Sequence, residues 1–232
     1  MNKKLIKEFI PPIFLKLLKS YKKKINFSKN KFLPSEQKLD LYYDPEMAKI
    51  LDVWGERNAW IEIQHILHDK KKNKVLDIAC GTGIVIEILS NNGHKNICGC
   101  DISDFLIQKA INKGIEKNRL LVCDATSLPY KENEFDYNYS IGSLEHFTKE
   151  GIKKFLSSSM YVTKFSGYHM IPVSRDNKNY GWIENYQSYF NNSIEWWSEI
   201  CSSVTSDFYF IDSSWEDEIS IGKWLIINKK ND

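Results

Sequence analysis

Val75-Leu76-Asp77-Ile78-Ala79-Cys80-Gly81-Thr82-Gly83 decides the fold: an apolar run that reads as a buried strand leads straight into a glycine turn, and the pattern beyond Gly83 becomes helical. Working outward, strands are expected at Lys74–Ala79, Asn96–Asp101, Arg119–Cys123 and Phe135–Ile141, with helices over Gly83–Asn91, Asp104–Lys113 and Lys149–Thr163. Strands alternating with helices predict right-handed crossovers and a parallel sheet. The tail adds a strand at Tyr168–Val173, an aromatic loop through Asn192, a helix over Ser193–Val204, and strands at Asp207–Asp212 and Ile219–Asn228. The short connection around Trp215–Glu218 suits an antiparallel pair. The expected fold is therefore α/β, a seven-stranded mostly parallel sheet with an antiparallel last strand and helices on both faces.

The glycines let backbone approach a ligand closely where a helix begins. A dinucleotide fingerprint would need a third glycine at Ile86, and no phosphate-binding Gly-Lys-Ser/Thr loop is present. Asp101 ends the next strand at about the spacing at which an acid binds a ribose diol. Asp124, in Val122-Cys123-Asp124-Ala125, again ends a strand, where its carboxylate could accept from an adenine amino group. Ligands of open parallel sheets bind outside the carboxyl ends of the strands, so these elements share one crevice. The bland alternative for either acid is a cap at a strand-to-helix turn.

On VLDIACGTG, GCDIS, CDATSLPY and FDYNYSIGSLEHF, spanning roughly Val75 to His146, the chain resembles the class I, Rossmann-like S-adenosylmethionine-dependent methyltransferases. The likeness is strongest to the small-molecule branch with Leu-Glu-His after the fourth strand. It implies S-adenosyl-L-methionine as cofactor and S-adenosyl-L-homocysteine as product. It also implies that Asp77, Ala79, Gly81 and Gly83 hold the methionine part, Asp101 with Ile102 the ribose, and Asp124 with the Ala125 amide the adenine. Ser140 and Ile141 would close over the sulfonium by backbone contacts.

A sulfonium is already an activated electrophile, so the protein's remaining tasks are placing the nucleophile and removing its proton. His146 is the expected catalytic base, a near-neutral imidazole at the catalytic edge, unless it only caps or packs. Glu145 would orient it or face solvent. In some ubiquinone-pathway O-methyltransferases an additional acid before this segment helps bind a divalent metal; here Gly142 stands there, so no metal is expected. The Asn/Asp-Pro-Pro-aromatic loop of nucleic-acid amino-methylating enzymes is replaced by Ser140-Ile141-Gly142, which favours an oxygen acceptor on a small molecule. Acceptor contacts are assigned to Arg175, which could neutralise a phosphate, and to Tyr180, Trp182 and Tyr186 of the same aromatic insertion at 174–197, to His169, and to Tyr43, Trp54, Glu56 and Arg57 on the opposite wall.

The 232 residues suit one domain, and a net charge of +2 gives no global attraction for nucleic acid. The five cysteines are odd in number and lack metal or redox spacing, so reduced thiols in a cytoplasmic protein are expected. Residues 1–31 carry ten lysines against Glu8 alone, with Leu5, Phe9, Ile13, Leu17 and Tyr21 recurring every fourth position. That is an amphipathic basic arm ahead of a domain at 32–232, suited to the inner face of a membrane or a partner enzyme through residues 1–25, or to packing on the domain. The expected activity is O-methylation of a sugar, nucleotide-sugar or phosphorylated precursor of a surface polysaccharide, without nucleic acid as partner. A quinone or isoprenoid phenol is the alternative acceptor, and a non-catalytic binding subunit the alternative from another class.

Overall fold

The computed structural model describes residues 45–55, 58–184 and 187–229. The arm at 1–31 and the acceptor residues Tyr43, Glu56, Arg57 and Tyr186 lie outside them. In chain order the elements are α1 (Pro45–Leu51), α2 (Ala59–Ile66), β1 (Val75–Ile78), α3 (Ile84–Asn91), β2 (Ile97–Asp101), α4 (Asp104–Asn112), β3 (Leu120–Val122), β4 (Phe135–Ile141), α5 (Lys149–Val162), β5 (Thr163–Ser174), β6 (Tyr180–Glu184), β7 (Gln187–Asn191), α6 (Ile194–Ser202), β8 (Phe208–Glu216) and β9 (Ser220–Asn228). Seven strands form one sheet in the order β3-β2-β1-β4-β5-β9-β8. β1 to β5 pair in parallel, and β9 runs antiparallel to both its neighbours. This is the expected α/β sheet, with the reversed last strand in its expected place.

Strand alternation divides the core between the two faces. Leu76 and Ile78 of β1, with Leu225 and Ile227 of β9, join Phe155, Leu156 and Trp197 on the side of α5 and α6. Val75, with Trp224 and Ile226, joins Ile63, Ile86, Leu89 and Ala110 on the side of α2, α3 and α4. Each fully buried Val, Leu, Ile or Phe among them contributes roughly 1.5–3 kcal/mol. Helix starts are set by hydroxyl caps: Ser103 accepts from the Leu106 amide, Thr148 from Gly151 and Ser193 from Trp196.

Ahead of the sheet, α1 and α2 are separate helices, and between them the chain at Gly55 passes so close to Trp60 that a Cβ there would clash with its indole ring. Two local readings need correction. The aromatic loop is an antiparallel hairpin, β6–β7, with Trp182 facing Tyr189 across the pair. β5 is longer than expected and begins immediately after α5, because Thr163 and its neighbours are already paired with β4.

One distant contact braces the site. Glu62 of α2 accepts from Ser213 Oγ (2.7 Å), the Ser214 amide and hydroxyl (2.6 Å each) and Trp224 Nε1 (2.7 Å). The pairing of β8 with β9 shifts register between Asp212 and Glu216, which turns the two serines toward α2. Gly222 faces this irregularity, and a Cβ there would lie 2.9 Å from both Ser213 Cβ and the Trp215 carbonyl.

Candidate active site

β1 and β4 are neighbours in the sheet, yet the crossovers leading from them run to opposite sides, β1 toward β2 and β4 toward β5. A crevice opens at such a switch point, beyond the carboxyl ends of the two strands. It is lined by Asp77 of β1, by Ala79, Cys80, Gly81 and Thr82 after that strand, by Ile84 and Val85 of α3, and by Ile141 of β4. Leu51, Trp54 and Trp60 come from the segment before the sheet.

The turn at the floor has left-handed backbone at Ala79 (φ 60), Gly81 (φ 55) and Gly83 (φ 74). The two glycines serve different ends. Gly81 lines the pocket. Gly83 caps α3 and packs inward, where a Cβ would meet Ile115 at 2.4 Å and Ala110 at 3.0 Å. That inward packing seats α3 beneath the floor.

Asp77 is buried and borders the pocket, and the Tyr139 hydroxyl donates to its Oδ2 at 2.9 Å. Burial pushes its carboxyl well above the ordinary aspartate range and the charge of Asp101 adds to this, while the Tyr139 bond opposes it. The neighbouring charge is thus another acid, and a cationic ligand group would relieve both. Asp101 closes the turn from β2, its Oδ2 accepting the Gly81 amide and its Oδ1 the Ser103 amide, both at 2.9 Å. Burial raises its pKa, and the amide bonds oppose that rise. A carboxylate oxygen holds two lone pairs, so acceptor capacity remains for ribose hydroxyls.

The remaining expected cofactor residues divide. Ile102 is exposed beside Asp101. Asp124 is exposed at the end of β3, and its Oδ1 caps its own turn, accepting from the amide and hydroxyl of Thr126 at 2.8 Å each. Ala125 is buried behind it. Ile141 lines the pocket, whereas the Ser140 side chain turns into the core toward His169, its register partner on β5.

On the acceptor side, Leu144–His146 forms a turn against the hairpin. His146 Nδ1 donates to the Ser188 carbonyl at 2.8 Å and its ring meets Tyr189 edge-on at 4.7 Å. Because the partner is a carbonyl, Nδ1 carries the hydrogen, and Nε2 is left with a lone pair. Glu145 is buried, its Oε2 has no hydrogen-bond partner, and burial raises its pKa. Tyr180 is buried and accepts from Asn191 at 3.0 Å, and Trp182 stacks on Tyr189 at 5.4 Å.

Two placements do not fit acceptor contacts. His169 is fully buried between Ser140 and Phe155, with its pKa pushed down by burial to about 3, so it is a neutral core residue. Arg175 is already paired with Glu216 at 2.5 Å and with the Asp217 carbonyl at 3.0 Å, which takes up the charge expected to meet a phosphate. Leu51, Trp60, Thr82 and Tyr139 were not singled out as site residues, whereas Trp54, assigned to the opposite wall, lines the pocket. Tyr139 had no signal beyond its alternation with Asn138 on β4.

Comparison with known proteins agrees with this geometry. Residues 75–167 match the family model described as a methyltransferase domain. The fold is shared with a Burkholderia thailandensis 1,6-didemethyltoxoflavin-N1-methyltransferase solved with S-adenosylhomocysteine, at a TM-score of 0.60 and 18% identity over 84% of this chain and 94% of that one. Residues 75–167 therefore resemble a methyltransferase domain, and the fold is the Rossmann-like one shared with class I S-adenosylmethionine-dependent methyltransferases. Among curated proteins, it is 30% identical to a probable tRNA methyltransferase 9B of Mus musculus over 155 residues, 66% of this chain and 32% of that one. It is 26% identical to an 18S rRNA (guanine-N(7))-methyltransferase of Bos taurus over 141 residues, 58% of this chain and 50% of that one. The chain thus spans only about a third of the length of the mouse relative.

These relatives overturn the exclusion of a nucleic-acid partner and, with it, the assignment of a small-molecule acceptor. The net charge of +2 concealed a lysine-rich stretch at 1–31, where local charge is far from neutral. The missing Pro-Pro-aromatic loop excludes one way of gripping a base, not nucleic acid as such. Among the described residues, no helix is long and apolar enough to cross a membrane.

Proposed function

We propose that this protein transfers the methyl group of S-adenosylmethionine to an acceptor carried on RNA. The observation that carries the cofactor half is Asp77: a buried carboxylate at a switch-point pocket, next to a second acid and bonded to a neutral tyrosine. A ligand bearing an ammonium and a sulfonium offsets that charge. The acceptor half is supported by the relatives named as tRNA and rRNA methyltransferases and by the ten lysines of residues 1–31, which suit phosphate contacts.

The bound cofactor supplies an electrophilic methyl group. Asp77 fits its ammonium and the Gly81 turn its carboxylate end, with Asp101 at the ribose. Leu51, Trp54 and Ile141 keep water from the reacting centre. His146, with Nδ1 committed to Ser188, presents Nε2 as the proton acceptor where the acceptor group carries a proton.

The test is methyl transfer from labelled S-adenosylmethionine to total tRNA and rRNA, with nucleotide-sugars and quinone phenols assayed in parallel. Ribonuclease-sensitive label is expected, and it should fall when residues 1–31 are removed. Label confined to the sugar or phenol pool would contradict the RNA acceptor and leave the cofactor assignment standing.

A further inference from the structure

The segment Pro45–Gly55 crosses the mouth of the pocket from the end of β1 to the end of β4. Leu51 lies over the glycine turn, since a Cβ on Gly81 would sit 3.6 Å from its Cδ1. Trp54 lies over the end of β4, since a Cβ on Gly142 would sit 3.1 Å from its ring. The outer side of this wall is apolar and open, with Ile50 47% and Val53 60% exposed, so burial there contributes little to holding it in place.

Polar contacts hold it instead, and they converge on Asp52. The Thr82 hydroxyl donates to Asp52 Oδ1, and Lys113 donates to the same oxygen at 2.5 Å and to Thr82 Oγ1 at 3.0 Å. Thr82 is buried inside the glycine turn, and Lys113 caps the end of α4. Three elements meet in one closed triangle: the wall, the pocket floor and the helix behind it. At the far end the wall is tied to β8 by Trp54 against Trp215, with ring centroids 5.3 Å apart, and by Asn58 donating to the Ser214 carbonyl at 3.0 Å.

We infer that Asp52, Thr82 and Lys113 form a latch: positioning residues that hold the Leu51–Trp54 wall across the pocket and set how fast the bound cofactor or its product leaves. The inference rests on reading the pocket as the S-adenosylmethionine site. A ligand between Gly81 and Ile141 lies beneath this wall, so movement of the wall widens its exit, and the triangle resists that movement.

The experiment follows dissociation of S-adenosylhomocysteine from the full chain by tryptophan fluorescence, since Trp54 and Trp60 line the pocket. Lys113→Ala removes the cation while leaving every pocket-lining residue in place, and should speed release about fivefold, the worth of a partly exposed ion pair. Raising salt from about 0.05 to 0.5 M should speed release from the wild type but not from this variant. Lys113→Glu should release faster still, and adding Asp52→Lys should bring the rate back toward wild type, a rescue that a purely structural defect would not give. Folded Lys113→Ala protein releasing at the wild-type rate, or no rescue in the swapped pair, overturns the latch alone. A wild type that binds no S-adenosylhomocysteine overturns the latch and the cofactor reading together.

Discussion

The Tyr139 hydroxyl donates to Asp77 Oδ2 at 2.9 Å across adjacent strands, where Asp77 and Tyr139 are register partners of β1 and β4. The pair holds a carboxylate at the pocket with a neutral partner, and burial raises its pKa well above the ordinary aspartate value. A group whose folded pKa is raised stabilises the fold below its unfolded pKa and loses that contribution as pH rises through the folded value. Apo protein should therefore lose stability as pH climbs from about 4. Asp77→Asn should remove Asp77's share of this decline, leaving that of buried Asp101 and Glu145, and keep the apo protein at least as stable as wild type at pH 7, measured by thermal melting across pH.

Glu62 should behave in the opposite sense. Burial opposes its ionisation, but the bonds from Ser214, Ser213 and Trp224 outweigh that and hold its pKa below the ordinary glutamate value. Its contribution is present above about pH 4.5 and is lost as pH falls through the folded value. Glu62→Gln should cost about 1–2 kcal/mol at pH 7, allowing for partial solvent screening, and flatten the acid limb of the stability profile. Denaturant melts at pH 7 and at pH 3 check both.

These two carboxylates show how far the sequence could be read. The β1 strand, the glycine turn and Asp101 were legible because short apolar runs and glycine punctuation are local signals. The partners of Asp77 and Glu62 were not, since strand register and a contact from residue 62 to residues 213 and 214 are set by tertiary packing. The β6–β7 hairpin was missed because Asn185-Tyr186 joins its strands without the Asn-Gly pair that announces a tight turn. His169 looked like a site residue because imidazoles are common there, whereas its strand turns it inward beside Ser140.

Asp101 supports the glycine turn and is also the proposed ribose acceptor, so Asp101→Ala should do two things. It should weaken cofactor binding through lost charge-assisted bonds, each about 1.5–3 kcal/mol and not additive. It should also loosen the Gly81 amide, seen as faster hydrogen exchange at that residue. Unchanged exchange with weakened binding would assign Asp101 to the ligand alone.

His146→Ala should lower turnover by about 10²–10⁴-fold on an acceptor that must lose a proton, with cofactor affinity nearly unchanged. Single-turnover rates set against calorimetric affinity separate the two effects. Near-normal turnover in a folded variant would remove His146 as base and leave it as a tie between the Leu144–His146 turn and the Ser188 carbonyl.

The most direct test of the cofactor site is a calorimetric titration of S-adenosylhomocysteine into wild type and Asp77→Asn. The account predicts saturable binding of one ligand per wild-type chain, weakened more than about tenfold in the folded variant by loss of the charge that meets the ligand's ammonium. No binding to wild type, or equal affinity in both proteins, would contradict it.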